Sequence, residues 1–465
     1  MKPNTYCLAL FALLIYFALS PSVQALNPPP DGGYARENTA EGDKALDSLT
    51  AGQRNTAIGF NALSTNTIGS LNTATGASAL QSNIRGGLNT AIGTAALRDN
   101  IIGNANTAIG TGALFNNTDG HMNSAVGNNA MVQNLHGDNN SALGQAALAA
   151  NTDGNNNVAM GFQALAGTTS SNNVGVGALA LKSNSTGSNN VAAGFQALTH
   201  NTTGFLNTAS GSLALSSNTT GDANIATGGQ ALERNTTGSN NTANGFLALA
   251  SNMTGDVNTA IGNHALPFNT TGNFNVALGD SAGSGVITAN DVICIGHGVV
   301  GANVSGTCFI GNVRGVTTQN ANALPVVIDG AGQLGTVASS ERFKKDITTM
   351  EKASEGILSL RPVTFHYKTD GTSTPQFGLI AEEVAKVNPA LVLPDKEGKP
   401  YTVRYDAVNA MLLNEFLKAH RRMEEQDKRI EELTAQLKQQ AAQIQRVSAQ
   451  LELKKPAPQT VLNGQ

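Results

Sequence analysis

The 465-residue sequence contains no tryptophan, and aromatic residues make up only 5% of it. A chain of this length would ordinarily hold about three domains of ~150 residues each. Aromatic side chains supply much of the buried area of a large globular core, so a sequence this poor in them cannot fill one. Repeats or disordered segments must therefore account for most of the chain.

Charged residues are also scarce, at 13%, and they are unevenly distributed. Of the 28 lysines and arginines, 19 lie from Arg342 onward, which leaves the preceding part of the chain nearly uncharged. Nucleic-acid binding requires lysine and arginine side chains that neutralise phosphates. The sequence therefore predicts no nucleic-acid partner.

The N-terminus predicts an export signal over residues 1–25. Lys2 is followed by the apolar run Cys7–Leu19, and small residues precede a cleavage site after Ala25. A membrane anchor is the alternative, but the run is shorter than the ~20 residues that span a bilayer. We expect the mature chain to be extracellular or at the cell surface, with no membrane span, and to begin with a Pro-rich linker over residues 26–37.

Two cysteines, Cys294 and Cys308, remain after removal of the signal. In an oxidising compartment two cysteines can form a disulfide. Free cysteine also packs like a small apolar residue, and the sequence leaves both interpretations open.

Residues 38–312 contain a repeat of 17 residues with the core Asn-x-Ala-x-Gly. A second signature, Ala-Leu, recurs in phase with the first, as at Ala62-Leu63. One step, from Asn157 to Asn173, is 16 residues long, and a degenerate copy surrounds Cys294. The copies begin at Asn38, Asn55, Asn72, Asn89, Asn106, Asn123, Asn140, Asn157, Asn173, Asn190, Asn207, Asn224, Asn241, Asn258 and Asn275.

A period this short cannot hold two helices with their turns, whereas it fits one coil of a parallel β-solenoid. The third position of the core is Ala in nearly every copy, with Gly175 and Cys294 as exceptions, which indicates close packing. Some sixteen coils stacked ~4.8 Å apart would form a rod on the order of 75 Å long. A disordered low-complexity tract is the alternative, but disorder does not require two signatures in phase.

No enzyme, cofactor or metal site is predicted in the repeat. The Asn-x-Thr triplets, such as Asn201-Thr202-Thr203, match glycosylation acceptors, but their phase with the turns favours a structural role. The histidines lack the spacing of metal ligands, and we expect them to be exposed loop residues. They are His121, His136, His200, His264 and His297.

The repeat resembles the β-roll heads of trimeric autotransporter adhesins, whose shorter repeats carry an Asn-Ser-Val-Ala-Ile-Gly core. Asn55–Gly59 and Asn123–Gly127 are the most similar copies here, although the period differs. The resemblance implies a homotrimer of parallel coils with a structural or adhesive role. A cell-surface or glycan ligand of this head would fit that role.

A connecting strand and turn are predicted over residues 313–338, a small α/β module over 339–406, a long helix over 407–455 and a disordered tail over 456–465. Apolar residues recur along the helix at the two seam positions of a coiled-coil heptad, and Gln426 and Gln440 are polar insertions at the second of them. An amphipathic helix packed within one chain is the alternative, but self-association agrees better with the exposed flanking charges. The first seam position is occupied by Phe416, Met423, Ile430, Leu437, Ile444 and Leu451.

Four ordered motifs from Ser339 to about Leu433 resemble the C-terminal intramolecular chaperone of phage endosialidases and tail spikes, the S74 peptidase family. They are Ser339–Ile347, Leu360–Tyr367, Phe377–Val384 and the helix from Tyr405-Asp406. The resemblance implies a module that trimerises, helps the upstream fibre to fold and then releases itself by cutting just before a serine. A Ser/Lys dyad five residues apart is the catalyst that it implies.

Two pairs have this spacing, Ser339 with Lys344 and Ser340 with Lys345. The family pattern places Arg, Leu or Phe, Lys and Ile at fixed distances after the serine, which fits only when Ser339 is first. The scissile bond is then Ala338–Ser339, with Ser339 as nucleophile and Lys344 as base. Ser340 and Lys345 are the second choice. With Ser339 first, Ser340 stands where many relatives carry Asp, which is a departure from the family pattern.

A serine hydroxyl is a poor nucleophile unless a base removes its proton, and a lysine can do so only as the neutral amine. Burial at a trimer interface would favour that neutral form. A permanent trimerisation clamp without cleavage remains an alternative. A glycan-acting enzyme would need paired carboxylates on one face of the head, and the few acidic residues there are not so placed.

Overall fold

The computed structural model describes residues 35–320 and 322–454. The predicted signal, most of the Pro-rich linker and the predicted tail lie outside these residues. The chain divides into two units between Gln319 and Asn320, and each is described by itself.

The first unit is a parallel β-solenoid, which confirms the predicted fold class. Each coil contributes one three-residue strand, and each strand pairs in parallel with the strand of the next coil. The strands are β1 (Thr39–Glu41), β2 (Thr56–Ile58), β3 (Thr73–Thr75), β4 (Thr90–Ile92), β5 (Thr107–Ile109), β6 (Ser124–Val126), β7 (Ser141–Leu143), β8 (Val158–Met160), β9 (Val174–Val176), β10 (Val191–Ala193), β11 (Thr208–Ser210), β12 (Ile225–Thr227), β13 (Thr242–Asn244), β14 (Thr259–Ile261), β15 (Val276–Leu278), β16 (Ile293–Ile295) and β17 (Cys308–Ile310).

The repeat signatures explain how each coil packs. The central strand residue points inward because successive side chains of a strand face opposite sides, and only a small residue such as Ala57 fits there with 0% exposure. Leu63, from the Ala-Leu signature, is also wholly buried and fills the coil interior. Gly59 has φ +127°, and a Cβ at this position would lie 2.7 Å from the carbonyl carbon of Gly76 in the next coil. The core glycine is therefore required by both backbone conformation and space.

The asparagine that opens each repeat forms a buried ladder. Asn55 Oδ1 accepts hydrogen bonds from the backbone N–H of Asn72 at 3.0 Å and from its Nδ2 at 3.1 Å. Asn55 Nδ2 donates to the carbonyl oxygen of Gly69 at 2.9 Å. Both asparagines have 0% exposure, so the side-chain amide satisfies buried groups that water cannot reach.

A second asparagine, eleven positions after the first in most coils, forms another buried ladder. Asn100 Nδ2 donates to Asn83 Oδ1 of the preceding coil at 2.8 Å and to the carbonyl oxygen of Gly103 at 3.0 Å. Asn201, in a triplet that matches a glycosylation acceptor, is one member and donates to Asn184 Oδ1 at 2.7 Å with 0% exposure. The asparagine of this acceptor triplet is thus buried in the interior.

The 16-residue coil interrupts the second ladder. Thr168 takes the place of asparagine there, and the buried Oδ1 of Asn151 in the preceding coil has no hydrogen-bond partner. Asn184 in the following coil reaches the Thr168 hydroxyl only at 3.4 Å. An unsatisfied buried acceptor costs free energy, so this joint lacks a stabilising hydrogen bond that the ladder makes elsewhere.

The two cysteines of the solenoid are both free thiols in the structure. Cys294 is the central, buried residue of β16, whereas Cys308 is the first, exposed residue of β17 and lies opposite Ile293. Alternation along the strands therefore turns the two thiols to opposite faces of the sheet. Burial and the nearby Cys308 raise the pKa of the Cys294 thiol, which keeps it protonated and unreactive.

The second unit is a small α/β module followed by a long helix. Three short antiparallel pairs form, β18 with β19, β20 with β21 and β22 with β23. Val384, Leu391, Val403 and Met411 make its small core. The elements are β18 (Val327–Ile328), β19 (Leu334–Gly335), 3₁₀ helices Glu341–Phe343 and Glu351–Ser359, β20 (Val363–Phe365), β21 (Gln376–Gly378), α1 (Ala381–Val387), a 3₁₀ helix Pro389–Leu391, β22 (Val392–Pro394), β23 (Pro400–Val403) and α2 (Tyr405–Leu453).

Helix α2 begins at Tyr405, two residues before the predicted start, and Met411 is its one buried residue. The residues of the predicted heptad seam, from Phe416 to Leu451, are exposed. Such an apolar stripe at heptad spacing, which no other part of the described chain covers, is typical of a helix that forms a coiled coil.

We expect Asn117→Ala to lower the free energy of unfolding by about 1 kcal/mol more than Asn151→Ala. Asn117 donates to Asn100 and accepts from Asn134 Nδ2 at 2.8 Å. Asn151 Oδ1 accepts no hydrogen bond, so its removal breaks no bond to the following coil. Both residues are wholly buried in the same ladder, so the substitutions are matched. Urea unfolding of the two variants measures the difference, and equal costs would contradict the ladder interpretation.

Candidate functional site

The predicted dyad is brought together by one short turn. Ser340 is extended, and the backbone N–H of Phe343 donates to its carbonyl oxygen at 3.1 Å. The 3₁₀ helix Glu341–Phe343 then returns the chain, so that Lys344 Nζ donates to Ser339 Oγ at 3.4 Å. The structure thus places the first-choice serine and lysine within hydrogen-bonding distance, while their catalytic role stays a prediction.

The second-choice pair is not joined in this way. The structure shows no hydrogen bond between Ser340 and Lys345, and both side chains are exposed. Nearby, the guanidinium of Arg342 lies 4.6 Å from the centre of the Phe343 ring. This contact holds a permanent positive charge in the same turn as Lys344.

The surroundings of the dyad are open. Every residue from 322 to 349 is exposed. The segment is nevertheless rich in large apolar side chains, whose exposure runs from 43% to 74%. Desolvation, which would favour the neutral amine of a lysine base, is not supplied by this chain alone. The apolar residues are Leu324, Val326, Val327, Ile328, Leu334, Val337, Phe343 and Ile347.

Two contacts join the motifs on which the resemblance rests. Arg361 of the second motif forms a two-point ion pair with Glu383 of the third, at 2.5 and 3.1 Å. The pair lowers the pKa of the Glu383 carboxyl. The Tyr405 hydroxyl of the fourth motif accepts a hydrogen bond from the backbone N–H of Leu379 at 3.0 Å. These residues are separate in sequence but form one module in space.

A polar cluster around the buried Ser354 fastens helix α2 to the module. Ser354, with 0% exposure, donates to Glu415 Oε1 at 2.5 Å and accepts from Asn414 Nδ2 at 2.7 Å. Lys418 Nζ donates to the same carboxylate at 2.7 Å and lies 3.6 Å from Glu355. Hydrogen bonds from Lys418 and Ser354 lower the pKa of the Glu415 carboxyl.

No pattern in the sequence predicts this cluster. Asn414, Glu415 and Lys418 occur among the polar residues of a coiled-coil helix, where such residues usually face water. Their partner Ser354 lies about sixty positions earlier in sequence. Spacing therefore carries no signal that these polar residues come together around Ser354.

Two histidines of the head, His121 and His136, make contacts between the turns of adjacent coils. His121 Nδ1 accepts a hydrogen bond from the backbone N–H of Asn104 at 3.0 Å, as other polar side chains do at the same position of neighbouring coils. His136 pairs with Asp119 of the preceding coil, which raises the pKa of the imidazole. Within residues 35–320 and 322–454, no group of three potential ligands could hold a metal ion. No helix of these residues is apolar enough over sufficient length to cross a membrane.

Comparison with known proteins identifies one segment. Residues 339–393 match the family model of peptidase S74, the chaperone of endosialidase, which confirms the resemblance predicted from the motifs. The match begins at the serine that lies next to Lys344. No curated protein and no solved structure matches the chain.

We expect docking of α2 to weaken in acid and Glu415→Gln to remove part of this pH dependence. The folded-state pKa of Glu415 is lowered, so its contribution to stability is present above the ordinary carboxylate pKa and is lost as pH falls through the lowered value. Urea unfolding followed by helical circular dichroism, from about pH 7 to about pH 3, measures the effect.

Glu432→Gln is the control for this experiment. Glu432 lies on the same helix, and its contact with Arg429 at 3.4 Å is exposed. At neutral pH the Glu415 variant should be less stable than the Glu432 variant. Identical pH profiles for the two variants would show that the cluster does not hold the helix.

Proposed function

We propose that the chain is an exported, homotrimeric fibre or adhesin-like structural protein. Its C-terminal chaperone module would align three copies and then cut the bond between Ala338 and Ser339. The observation that carries this proposal is the start of the S74 match at Ser339, whose hydroxyl lies 3.4 Å from Lys344 Nζ.

The cut would proceed by an acyl shift followed by hydrolysis. Ser339 Oγ attacks the carbonyl carbon of Ala338 while Lys344, as the neutral amine, takes the hydroxyl proton. The peptide C–N bond breaks, the proton passes to the amine of Ser339, and an ester joins Ala338 to the Ser339 side chain. Water then hydrolyses the ester, which leaves a carboxylate at Ala338 and a free N-terminus at Ser339.

Self-association is supported by the surfaces that a single chain leaves uncovered. The heptad seam of α2 is exposed, and so are the apolar residues around the dyad. Exposed apolar surface of this extent is typical of an interaction site. In a trimer, partner chains would cover the seam and desolvate Lys344, so assembly would precede cleavage.

The repeat gives such a clamp its purpose. Identical coils tolerate a slip by one repeat at little local cost, so three chains need an alignment signal before they assemble. Release of the clamp afterwards would make unfolding effectively irreversible, which is kinetic stability. Export through the predicted signal and an adhesive role with a cell-surface or glycan ligand complete the proposal.

A permanent trimerisation clamp is the second candidate. The openness of the dyad in the single chain favours it, since a solvated lysine is a weak base catalyst for serine. Ser340, at the position where many relatives carry Asp, also distinguishes this chain from the family pattern.

We expect the wild-type chain to yield two fragments and Ser339→Ala to remain uncut. Lys344→Met should behave like Ser339→Ala, because the hydroxyl then lacks its base. Ser340→Ala and Lys345→Met are the matched controls and should still be cut. A denaturing gel separates the products, and intact mass gives both new termini, including the expected mature start after Ala25.

If wild-type chains in assembled trimers stay full length, the module does not cut itself. The permanent trimerisation clamp would then be the remaining candidate. Cleavage that persists in Ser339→Ala but stops in Ser340→Ala would transfer the role to the second pair.

A further inference from the structure

The strands of the solenoid expose a long, continuous sheet face. We define the outer strand face as the first and third residues of strands β2–β17, which flank the buried central residue. Pairing is in register, so each third residue lies beside the third residue of the next coil, as Ile92 lies beside Ile109. The third residues therefore form one column along the head.

This column alternates between apolar and polar blocks. Six consecutive coils present large apolar side chains, the next four present small or polar ones, and the last four are apolar again. Val126 is half-buried, and the other large apolar members from Ile92 to Val176 and from Ile261 to Ile310 are 37% to 49% exposed. In order, the three blocks are Ile92, Ile109, Val126, Leu143, Met160 and Val176; Ala193, Ser210, Thr227 and Asn244; and Ile261, Leu278, Ile295 and Ile310.

The outer strand face carries no charge. None of the first and third residues of β2–β17 is Asp, Glu, Lys or Arg. Interfaces between different proteins gain specificity from complementary charges, and this face offers none. Two identical uncharged faces, in contrast, do not repel each other.

The face is also large enough to hold copies together. Sixteen strands at ~4.8 Å and three residues per strand give a strip roughly 75 Å by 10 Å, on the order of 750 Å². Each partner of a standard protein interface buries about 800 Å². If a second copy packs against this face with equivalent coils opposite each other, the apolar blocks of the two copies meet, and so do their polar blocks.

We propose that the outer strand face is the surface through which the heads of neighbouring copies pack, coil for coil in the same register. This inference rests on the self-association proposed above and identifies where in the head it occurs. The polar block from Ala193 to Asn244 then acts as a register mark. A slip of four coils would place the apolar block ending at Val176 against it and lose apolar burial.

Cysteine cross-linking of the full chain tests this surface. Ser210→Cys lies on the outer strand face, whereas Ser183→Cys is an exposed serine of a nearby turn outside it. Both variants carry Cys308→Ser, because Cys308 is exposed on the same face, while buried Cys294 is retained. A short bis-maleimide should link copies through Cys at 210 and leave Cys at 183 unlinked on a denaturing gel.

A charge placed on the face provides a second readout. Ile109→Lys, added to the Ser210→Cys chain, should lower the linked fraction at least about tenfold, because an unpaired ammonium would be buried. Ile102→Lys is the matched control, since Ile102 is 44% exposed in a turn and Ile109 is 38% exposed on the face. The control should leave the linked fraction unchanged.

The possible failures are distinguishable. A chain that is a single copy by mass in solution would overturn the proposed self-association together with this surface. A self-associated chain that shows no linkage at position 210, or equal linkage at 210 and 183, would overturn only the outer strand face. The outer strand face would also be overturned if Ile109→Lys left the fraction linked through position 210 unchanged.

Discussion

Each coil of the solenoid buries asparagine amides whose oxygens are satisfied only by the next coil. Asn55 needs the backbone and side chain of Asn72, and Asn83 needs Asn100. A buried acceptor left without a partner costs free energy, so one coil cannot fold without its neighbour. Stability in such a stack comes from interfaces between repeats, so a segment that aligned the chains would give folding a starting point.

The C-terminal module has the properties of such a starting point. It has its own small core, and the cluster of Ser354, Glu415 and Lys418 fastens the start of a long helix whose apolar seam is exposed. The Ser339–Lys344 pair lies within an exposed segment rich in apolar residues. In the function proposed above, assembly and cleavage would be coupled by the removal of water from that segment.

Much of the fold was predictable because the period of the repeat is a direct consequence of its geometry. The central Ala predicts the close-packed strand, and the opening Asn and core Gly mark the turns. Neither asparagine ladder was predicted, since Asn is also common in exposed turns, and only the structure shows Asn55 and Asn100 buried. The joint at Thr168 appeared in sequence as a shortened repeat, but its unsatisfied partner Asn151 did not.

In the C-terminal module, too, one group of residues was predictable from the sequence and another was not. The spacing of Ser339 and Lys344 identified a pair that the structure brings to 3.4 Å, because five residues with one 3₁₀ turn suffice. The cluster around Ser354 depends on contacts between residues about sixty positions apart, which no local pattern encodes.

The concentration dependence of cleavage during refolding tests the central claim most directly. If partner chains complete the site, the initial rate per chain should fall steeply when the refolding chain is diluted about tenfold, since subunit assembly depends on concentration. Fragments should then appear only after trimers are detected. A rate per chain that is unchanged by dilution would contradict the account, because the dyad would then act within a single copy.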